Sequence, residues 1–196
     1  HDKLAKIIAV SKTFPIEKVL PLIEHGHLHY GENKVQEALG KWSDIKNENH
    51  NIQLHLIGKL QTNKVKFALR IFDYIHSLDS EKLANKISEE QQKQKKKPKI
   101  FIQVNMGNED QKSGIDKRNL NDFYKFCKNL NLDIIGTMCI PPNDDNTEKY
   151  FSEMSELNKE LNFKELSMGM SGDYLEAIKY NATYVRVGSK IFGSRD

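Results

Sequence analysis

Residues 6–26 read KIIAVSKTFPIEKVLPLIEHG and join a strand-like run to a helical pattern. The β-branched residues of the first half are typical of a buried strand. In the second half, Pro15 suits a first helical turn, and Gly26 suits the residue that follows a helix end. Between them apolar residues recur at i, i+3, i+4 and i+7, namely Ile16, Val19, Leu20 and Ile23. The segment therefore predicts one β/α unit.

The same alternation of strand and helix continues to the end of the chain. Seven further strand-like runs lie at residues 27–30, 53–58, 74–79, 100–105, 134–140, 165–170 and 183–189. A helical pattern follows each of the first seven runs; the second helix is expected to begin near Glu32, and Pro98 is expected to stop the fourth. Eight strands with seven intervening helices predict a single TIM-like (β/α)8 barrel domain over residues 1–196. An open doubly wound sheet is less favoured, because no GxGxxG motif follows the first strand.

The bulk composition narrows the classes of partner. The 30 basic and 27 acidic residues leave a net charge of only +3, which gives little reason to expect a nucleic acid or a membrane as partner. No apolar run approaches the roughly 20 residues of a spanning helix, and no signal peptide opens the sequence. Cys127 and Cys139 lack the spacing of a zinc site or a disulfide framework, so both are interpreted as small buried apolar residues. A reducing cytoplasm is the expected compartment.

Lys12 lies at the end of the first predicted strand. In a (β/α)8 barrel the strand C-termini and the loops that follow them form the active face. Burial would lower the pKa of a lysine there, and a neutral amine can attack an aldehyde to form a Schiff base. The alternative is a lysine that extends its charged end into solvent, and position alone favours this alternative.

Two turns near the end of the sequence are candidates for binding a phosphate. The segments SMGMSGD (167–173) and VRVGSKIFG (185–193) place glycine and serine after strands seven and eight, where barrels commonly bind phosphate through backbone N–H groups. Ordinary turns favour the same residues, so the interpretation stays open on these grounds. Arg186 lies between two valines and should face away from them, into the barrel or the helix layer. Buried arginine needs an acceptor, and a structural ion pair is the default.

Six motifs in order give the sequence a family likeness. They are IIAVSKTFP (7–15), YGENKVQEA (30–38), LHLIGKLQTNK (54–64), IHSLDS (75–80), QVNMGNEDQKSG (103–114) and LSMGMSGDYLEAI with VRVGSKIFG (166–193). Together they resemble the pyridoxal phosphate homeostasis protein family, which is related to the N-terminal barrel of alanine racemase. The likeness covers nearly the whole chain.

The resemblance implies a barrel that binds pyridoxal 5′-phosphate (PLP) as a Schiff base on Lys12. The other residues implied to contact the cofactor are Ser171, Gly188 and Ser189 at its phosphate, Arg186 at its pyridine nitrogen, and Asn33 and Met170 at the pocket wall. The implied role is vitamin B6 homeostasis in the cytoplasm by a monomer that holds the reactive aldehyde and releases it to apo-enzymes. No metal and no catalytic residue is implied.

General chemistry also favours a carrier over an enzyme. An arginine at the pyridine nitrogen only donates hydrogen bonds, so it would disfavour the protonated ring that acts as an electron sink. Racemisation also needs an acid or base on each face of the substrate, and Lys12 can serve only one. The alternatives are a small PLP-dependent amino-acid racemase and an interaction protein without a cofactor.

Two further patterns have simpler explanations than a binding site. His25, His27 and His29 could suggest a metal, but no cysteine, aspartate or further histidine is arranged to complete the site. The basic run 93–97 could suggest nucleic acid, but it lacks interleaved aromatic residues and lies at a predicted helix end, where positive charge is favourable. Trp42 is expected to be a packing anchor.

Overall fold

A computed structural model describes residues 4–107 and 113–194. The strands are β1 Lys6–Val10, β2 His29–Glu32, β3 Gln53–Leu56, β4 Tyr74–Leu78, β5 Lys99–Asn105, β6 Ile115–Asp116, β7 Asp133–Met138, β8 Glu165–Ser167 and β9 Tyr184–Val187. The helices are α1 Ile16–Glu24, α2 Val35–Glu48, α3 Val65–Ile71, α4 Glu81–Gln94, α5 Leu120–Asn129, α6 Thr147–Glu160, α7 Tyr174–Lys179 and α8 Ser189–Phe192. Part of the fifth sequence motif, residues 108–112, lies outside the described residues.

Eight of these strands close into a parallel barrel. The strand order runs β4-β3-β2-β1-β9-β8-β7-β5, and a pairing between β4 and β5 completes the ring. The first and last strands of the chain pair with each other in the ring, and Ile8 of β1 is in register with Arg186 of β9. The two-residue strand β6 pairs only with β5 and lies outside the ring. The predicted (β/α)8 barrel is confirmed, and the open sheet is wrong because the sheet has no free edge at β4.

The predicted boundary between the second strand and the second helix was wrong, for a local reason. The second strand begins at His29 and extends to Glu32, two residues later than predicted, because the Glu32 carboxylate is buried and hydrogen-bonded rather than exposed in a loop. Helix α2 accordingly begins at Val35 and not near Glu32. Helix α4 ends at Gln94, within the predicted run 91–99, but Lys95 and not Pro98 terminates it, because Lys95 adopts the left-handed conformation with φ of +54°.

The strands separate two buried compartments. Side chains that face outward pack against the helices and are mainly aliphatic, with the fully buried Trp42 among them. Side chains that face inward are mainly rings, and Ile8, Tyr74, Phe101 and Tyr184 belong to this second cluster. Alternation along each strand assigns neighbouring residues to opposite compartments.

The two cysteines belong to the apolar packing, as predicted. Cys127 lies on α5 and Cys139 directly after β7, and both side chains are buried. Burial raises the pKa of both thiols to about 12. Neither is therefore available as a thiolate nucleophile near neutral pH.

Candidate functional site

A cavity of about 670 Å³ opens at the end of the barrel where the strands terminate. Its lining comes from loops that follow most of the barrel strands, which agrees with the usual position of the active face. All of the site residues predicted from the sequence line it: Lys12, Asn33, Met170, Ser171, Arg186, Gly188 and Ser189. The structure brings these residues together from both ends of the chain; their roles toward a ligand stay predictions.

The turn that carries Lys12 has an unusual backbone conformation. Strand β1 ends at Val10, and Lys12 is half-buried at the cavity wall. The next residue, Thr13, has a φ of +67°, which is costly for a β-branched residue. Its N–H donates a hydrogen bond of 2.8 Å to Oε1 of Glu37 on α2. This contact holds the turn and therefore the lysine that precedes it.

A buried polar cluster lies directly behind Lys12. Oε1 of Glu32 accepts hydrogen bonds from the Ser11 hydroxyl at 2.9 Å and from the Trp42 indole N–H at 2.8 Å. Nζ of Lys41 lies 2.7 Å from the same oxygen, and it also donates to the Ser11 carbonyl. With the carboxylate fully buried, a charged partner and hydrogen bonds are required to offset its desolvation. The cluster fixes the residue that precedes Lys12.

Sequence reasoning missed most of this cluster. Glu32 was expected near the start of the second helix, and Lys41 was not singled out. Trp42 is fully buried, as expected of a packing anchor, and its N–H also holds the carboxylate. A burial preference for tryptophan can be inferred from sequence, but its hydrogen-bond partner depends on how α2 lies against β2.

Arg186 approaches the cavity from inside the barrel. Its side chain is buried, with Nη1 donating to the Ser167 hydroxyl oxygen at 2.8 Å and Nη2 to the Cys139 carbonyl at 3.0 Å. Within residues 4–107 and 113–194 no carboxylate forms an ion pair with it, so the default expectation of a structural ion pair is wrong. Burial lowers the pKa of the guanidinium to about 10, which leaves it charged at neutral pH.

The two turns predicted to bind phosphate are joined by a hydrogen bond. The N–H of Gly188 donates to Oγ of Ser171 at 3.1 Å. The position favours a small residue, since a Cβ at 188 would lie 3.3 Å from the Cβ and the carbonyl oxygen of Val10, closer than most Cβ contacts. Helix α8 begins at Ser189, and the first N–H groups of a helix have no partner within it. The first turn is ordered separately by Asp173, whose Oδ1 accepts from the Met170 N–H at 2.7 Å.

The described lining of the cavity is positively charged. Lys12, Lys59 and Arg186 line it, and no aspartate or glutamate does so among the described residues. Lysine and arginine beside serine hydroxyls and backbone N–H groups form a donor set that suits an anion. Lys59 was missed from sequence, although it follows Gly58, itself recognised as a strand-end residue. The cavity can therefore hold a small anionic ligand within reach of an amine.

The residues of the metal site and the nucleic-acid site considered from sequence make other contacts in the structure. His29 faces the barrel interior and lies 2.9 Å from His55 through their ring nitrogens. No cluster of three or more histidine, cysteine, aspartate or glutamate side chains able to hold a metal occurs among the residues that the structure describes. In the basic run, Lys97 donates to the Asn131 side chain at an exposed position. Over the described ranges, no helix is both long enough and apolar enough to span a membrane.

Comparison with known proteins places this geometry in a family. Residues 1–196 match the family described as alanine racemase, N-terminal domain. The chain is 38% identical to a pyridoxal phosphate homeostasis protein of Aquifex aeolicus over 99% of this chain and 89% of the relative. It is 37% identical to the protein of the same name from Pasteurella multocida, over 100% of this chain and 88% of the relative. This chain belongs to the pyridoxal phosphate homeostasis protein family.

Solved structures agree with this family membership. PipY of Synechococcus elongatus PCC7942, solved with PLP bound, superimposes with a TM-score of 0.89 at 34% identity, over 96% of this chain and 92% of that one. Alanine racemase of Clostridium difficile gives a TM-score of 0.76 at 13% identity, over 100% of this chain and 53% of that one. The second likeness concerns the fold alone. The family resemblance predicted from the six motifs is confirmed.

Proposed function

We propose that this family member binds PLP in the cavity at the barrel mouth, attaches it reversibly to Lys12 and serves PLP homeostasis. The observation that carries the proposal is the composition of one cavity. Its lining combines a half-buried amine, a buried guanidinium and two glycine–serine turns, without a described carboxylate. A pyridine with an aldehyde and a phosphate matches each of these features. PipY, which has been solved with PLP bound, supports the assignment.

The cavity residues fit the chemistry of this cofactor. Pockets for small ligands commonly measure about 300–1,000 Å³, and the cavity measures about 670 Å³. Ser171, Gly188 and Ser189 would hold the phosphate through hydroxyl and backbone N–H groups. Arg186 would donate to the pyridine nitrogen, while Asn33 and Met170 would form the pocket wall. When bound, PLP supplies an electrophilic aldehyde carbon, and Lys12 is the amine assigned to it.

The attachment to Lys12 needs no further reagent. The neutral amine adds to the aldehyde carbon, and loss of one water gives the carbon–nitrogen double bond of a Schiff base. Addition of one water reverses the step and returns free amine and free aldehyde. Attachment therefore keeps the aldehyde away from other amines, and hydrolysis delivers it. The proposed recipients are apo-enzymes that require PLP, and the proposed acting unit is a monomer.

The surroundings of Arg186 favour a carrier without robust catalysis. Its hydrogen-bond acceptors among the described residues are neutral oxygens, those of Ser167 and Cys139, so no carboxylate is hydrogen-bonded to the guanidinium there. A cation at the pyridine nitrogen opposes protonation of the ring, because like charges disfavour each other. An unprotonated ring withdraws electrons weakly, and carbanion formation on an amino acid would be slow.

Borohydride reduction after incubation with PLP tests the proposal. The wild-type protein should gain an absorbance band that reduction removes, and peptide mapping should recover the label on Lys12. Lys12→Ala should abolish the label. Lys97→Ala is the matched control, because Lys97 is an exposed lysine that contacts the Asn131 side chain outside the cavity, and its label should be unchanged. A label that survives Lys12→Ala would contradict the assignment of Lys12 as the residue to which PLP is attached.

Incubation with single amino-acid enantiomers tests the absence of robust catalysis. The PLP-loaded protein should leave the optical rotation of each enantiomer unchanged. Turnover at rates typical of enzymes, roughly 1–1,000 per second, would make the protein a racemase instead. PLP loading is measured first by absorbance, so absence of turnover is scored only on protein that holds PLP.

A further inference from the structure

A single file of polar side chains runs through the barrel interior and ends at Arg186. Nδ1 of His29 lies 2.9 Å from Nε2 of His55, and Nδ1 of His55 lies 2.9 Å from Nε2 of His76. Nδ1 of His76 lies 2.9 Å from the Ser167 hydroxyl oxygen, which also accepts from Nη1 of Arg186 at 2.8 Å. His29, His55, His76 and Ser167 are called the histidine relay below. It joins the base of the barrel, where His29 opens β2, to the cavity at its mouth.

The relay is enclosed by aromatic rings. The His55 ring stacks on Tyr74 with centroids 4.0 Å apart, and the His76 ring stacks on Phe101 with centroids 4.3 Å apart. His55 and His76 are fully buried, whereas His29 is half-buried at the base. Stacking holds each imidazole in the plane that its hydrogen bonds require. The rings are thus fixed in orientation as well as in position.

All three imidazoles are neutral near pH 7. Burial lowers the pKa of His55 and His76 far below the usual value, and it lowers the pKa of His29 to about 4. The charged groups around the rings act mostly in the same direction. Lys6, Lys46, Lys99 and Arg186 oppose protonation and Asp73 favours it, while His27 and the relay members repel one another when charged. A neutral imidazole has one donor and one acceptor nitrogen.

The guanidinium of Arg186 sets the direction of every hydrogen bond in the relay. Arginine only donates, so the Ser167 oxygen must accept from it. The hydroxyl proton of Ser167 then has one described acceptor, Nδ1 of His76. His76 must therefore carry its proton on Nε2 and donate it to His55. The same step repeats from His55 to His29, which makes all three rings Nε2–H tautomers.

We propose that the histidine relay positions Arg186 at the cavity, and that Arg186 in turn fixes the tautomers of all three histidines as far as the base of the barrel. The relay supplies the guanidinium with a neutral acceptor where a carboxylate would cancel its charge. The cation is thereby held in place while its charge remains directed at a ligand with an anionic group or a lone pair. Only the identity of that ligand rests on the proposed function.

Imidazole tautomers can be read directly by long-range proton–nitrogen NMR on protein labelled with ¹⁵N-histidine and free of ligand. At pH 7 the wild type should show the Nε2–H form at His29, His55 and His76. The exposed His50 provides the reference for a ring at the protein surface. Nδ1–H forms at the three relay positions would overturn the proposal.

Ser167→Ala separates a relay from simple packing. Without the Ser167 hydroxyl, nothing selects the direction of the hydrogen bonds in the relay. The ratio of the Nε2–H to the Nδ1–H tautomer at His29 should then fall from at least about tenfold to near unity. A packing role for Ser167 would leave His29 unchanged, because three hydrogen bonds separate the two residues. Arg186→Lys retains a donor and should preserve the wild-type tautomers, whereas Arg186→Met should mix them. An unaltered His29 in both Ser167→Ala and Arg186→Met contradicts the inference.

Addition of PLP connects the relay to the cavity and keeps the two proposals distinguishable. Ser167→Ala should bind PLP about tenfold more weakly than the wild type, since one hydrogen bond to a charged group is lost, and Lys12 should still take the borohydride label. Wild-type affinity in that variant contradicts the positioning role. Absence of PLP binding to the wild type, with the tautomers as described, would instead overturn the proposed function and leave the relay intact.

Discussion

The barrel interior and the layer between strands and helices are both buried, yet different chemistry fills them. On β3, Leu54 and Leu56 face the helices while His55 between them faces inward; on β9, Val185 and Val187 face the helices while Arg186 faces inward. The interior of a (β/α)8 barrel is usually packed with branched aliphatic residues. Here imidazoles, phenols and a guanidinium share that interior with Ile8, Phe101 and Met138, so the outer layer carries most of the apolar burial.

This difference indicates a division of tasks within each strand. Truncation of an outward-facing side chain should lower the free energy of unfolding in proportion to the apolar volume removed, because close-packed layers relax only partly. Inward residues depend on one another, because each hydrogen bond in the relay requires both partners. Substitution in the outer layer should change stability alone, whereas substitution in the interior should also change the cavity.

Acidification should have the largest effect, and it should act on the interior. The folded-state pKa values of His29, His55 and His76 lie below the unfolded value of 6.5, so the unfolded chain binds more protons as the pH falls below about 6.5. Each histidine that stays neutral when folded then lowers the free energy of unfolding by about 1.4 kcal/mol per pH unit. Above pH 7 these three histidines add no pH dependence to the free energy of unfolding. Urea unfolding between pH 7.5 and 5 measures this slope.

The slope should be smaller once a relay histidine is absent. His76→Phe removes one titrating ring and keeps an aromatic side chain beside Phe101. His50→Phe, at an exposed position, is the control and should retain the wild-type slope. Equal slopes in His76→Phe and the wild type would show that the interior histidines are not the source of the acid sensitivity.

Trp42→Ala should be the most damaging substitution in the outer layer. The side chain is fully buried, and its removal should cost about 3–5 kcal/mol of unfolding free energy, as for other large aromatic residues. Trp42→Phe keeps much of the volume but loses the hydrogen bond to Glu32 and should cost less. Urea denaturation of both variants separates packing from the polar contact; equal losses would assign the whole effect to the carboxylate.

Leu54→Ala and His55→Leu compare adjacent residues on opposite faces of β3. Leu54→Ala should lower the unfolding free energy by about 2–5 kcal/mol and leave PLP affinity as in the wild type. His55→Leu should cost about 1–3 kcal/mol for each partner left without a hydrogen bond, and it should also weaken PLP binding. PLP affinity therefore distinguishes a residue that faces the helices from one that faces the barrel interior. If both variants bind PLP as tightly as the wild type, the proposed division of tasks between the two faces is wrong.

Lys97→Ala should have the smallest effect. Its ammonium donates to the Asn131 side chain at the surface, so the unfolding free energy should stay within about 0.5 kcal/mol of the wild type. PLP affinity should not change. A larger loss would mean that the basic run at the end of α4 has a structural task that neither buried compartment performs.

Local sequence pattern predicted the order of the elements, and together with the family resemblance it named seven of the cavity residues. Strand-like runs and helical periodicity predicted the barrel, because each β/α unit buries its own apolar face and parallel strands with helical crossovers close in few ways. The seven site residues could be named because strand C-termini meet at one end of a barrel and because the motifs resembled a family. The boundary at Glu32 was wrong because the sequence does not show that this charged residue is buried with partners at the end of β2, and a glutamate is also typical of a first helical turn.

Only the tertiary structure decided what fills the interior. Each histidine of the relay lies beside at least one apolar residue on its own strand, a pattern shared with any half-buried strand, and His76 meets Ser167 from a position 91 residues away. Alternation along a strand determines which face a side chain occupies but not which side chain lies opposite. That choice depends on the register of neighbouring strands and on ring closure between β4 and β5, which are properties of the whole sheet and not of any segment.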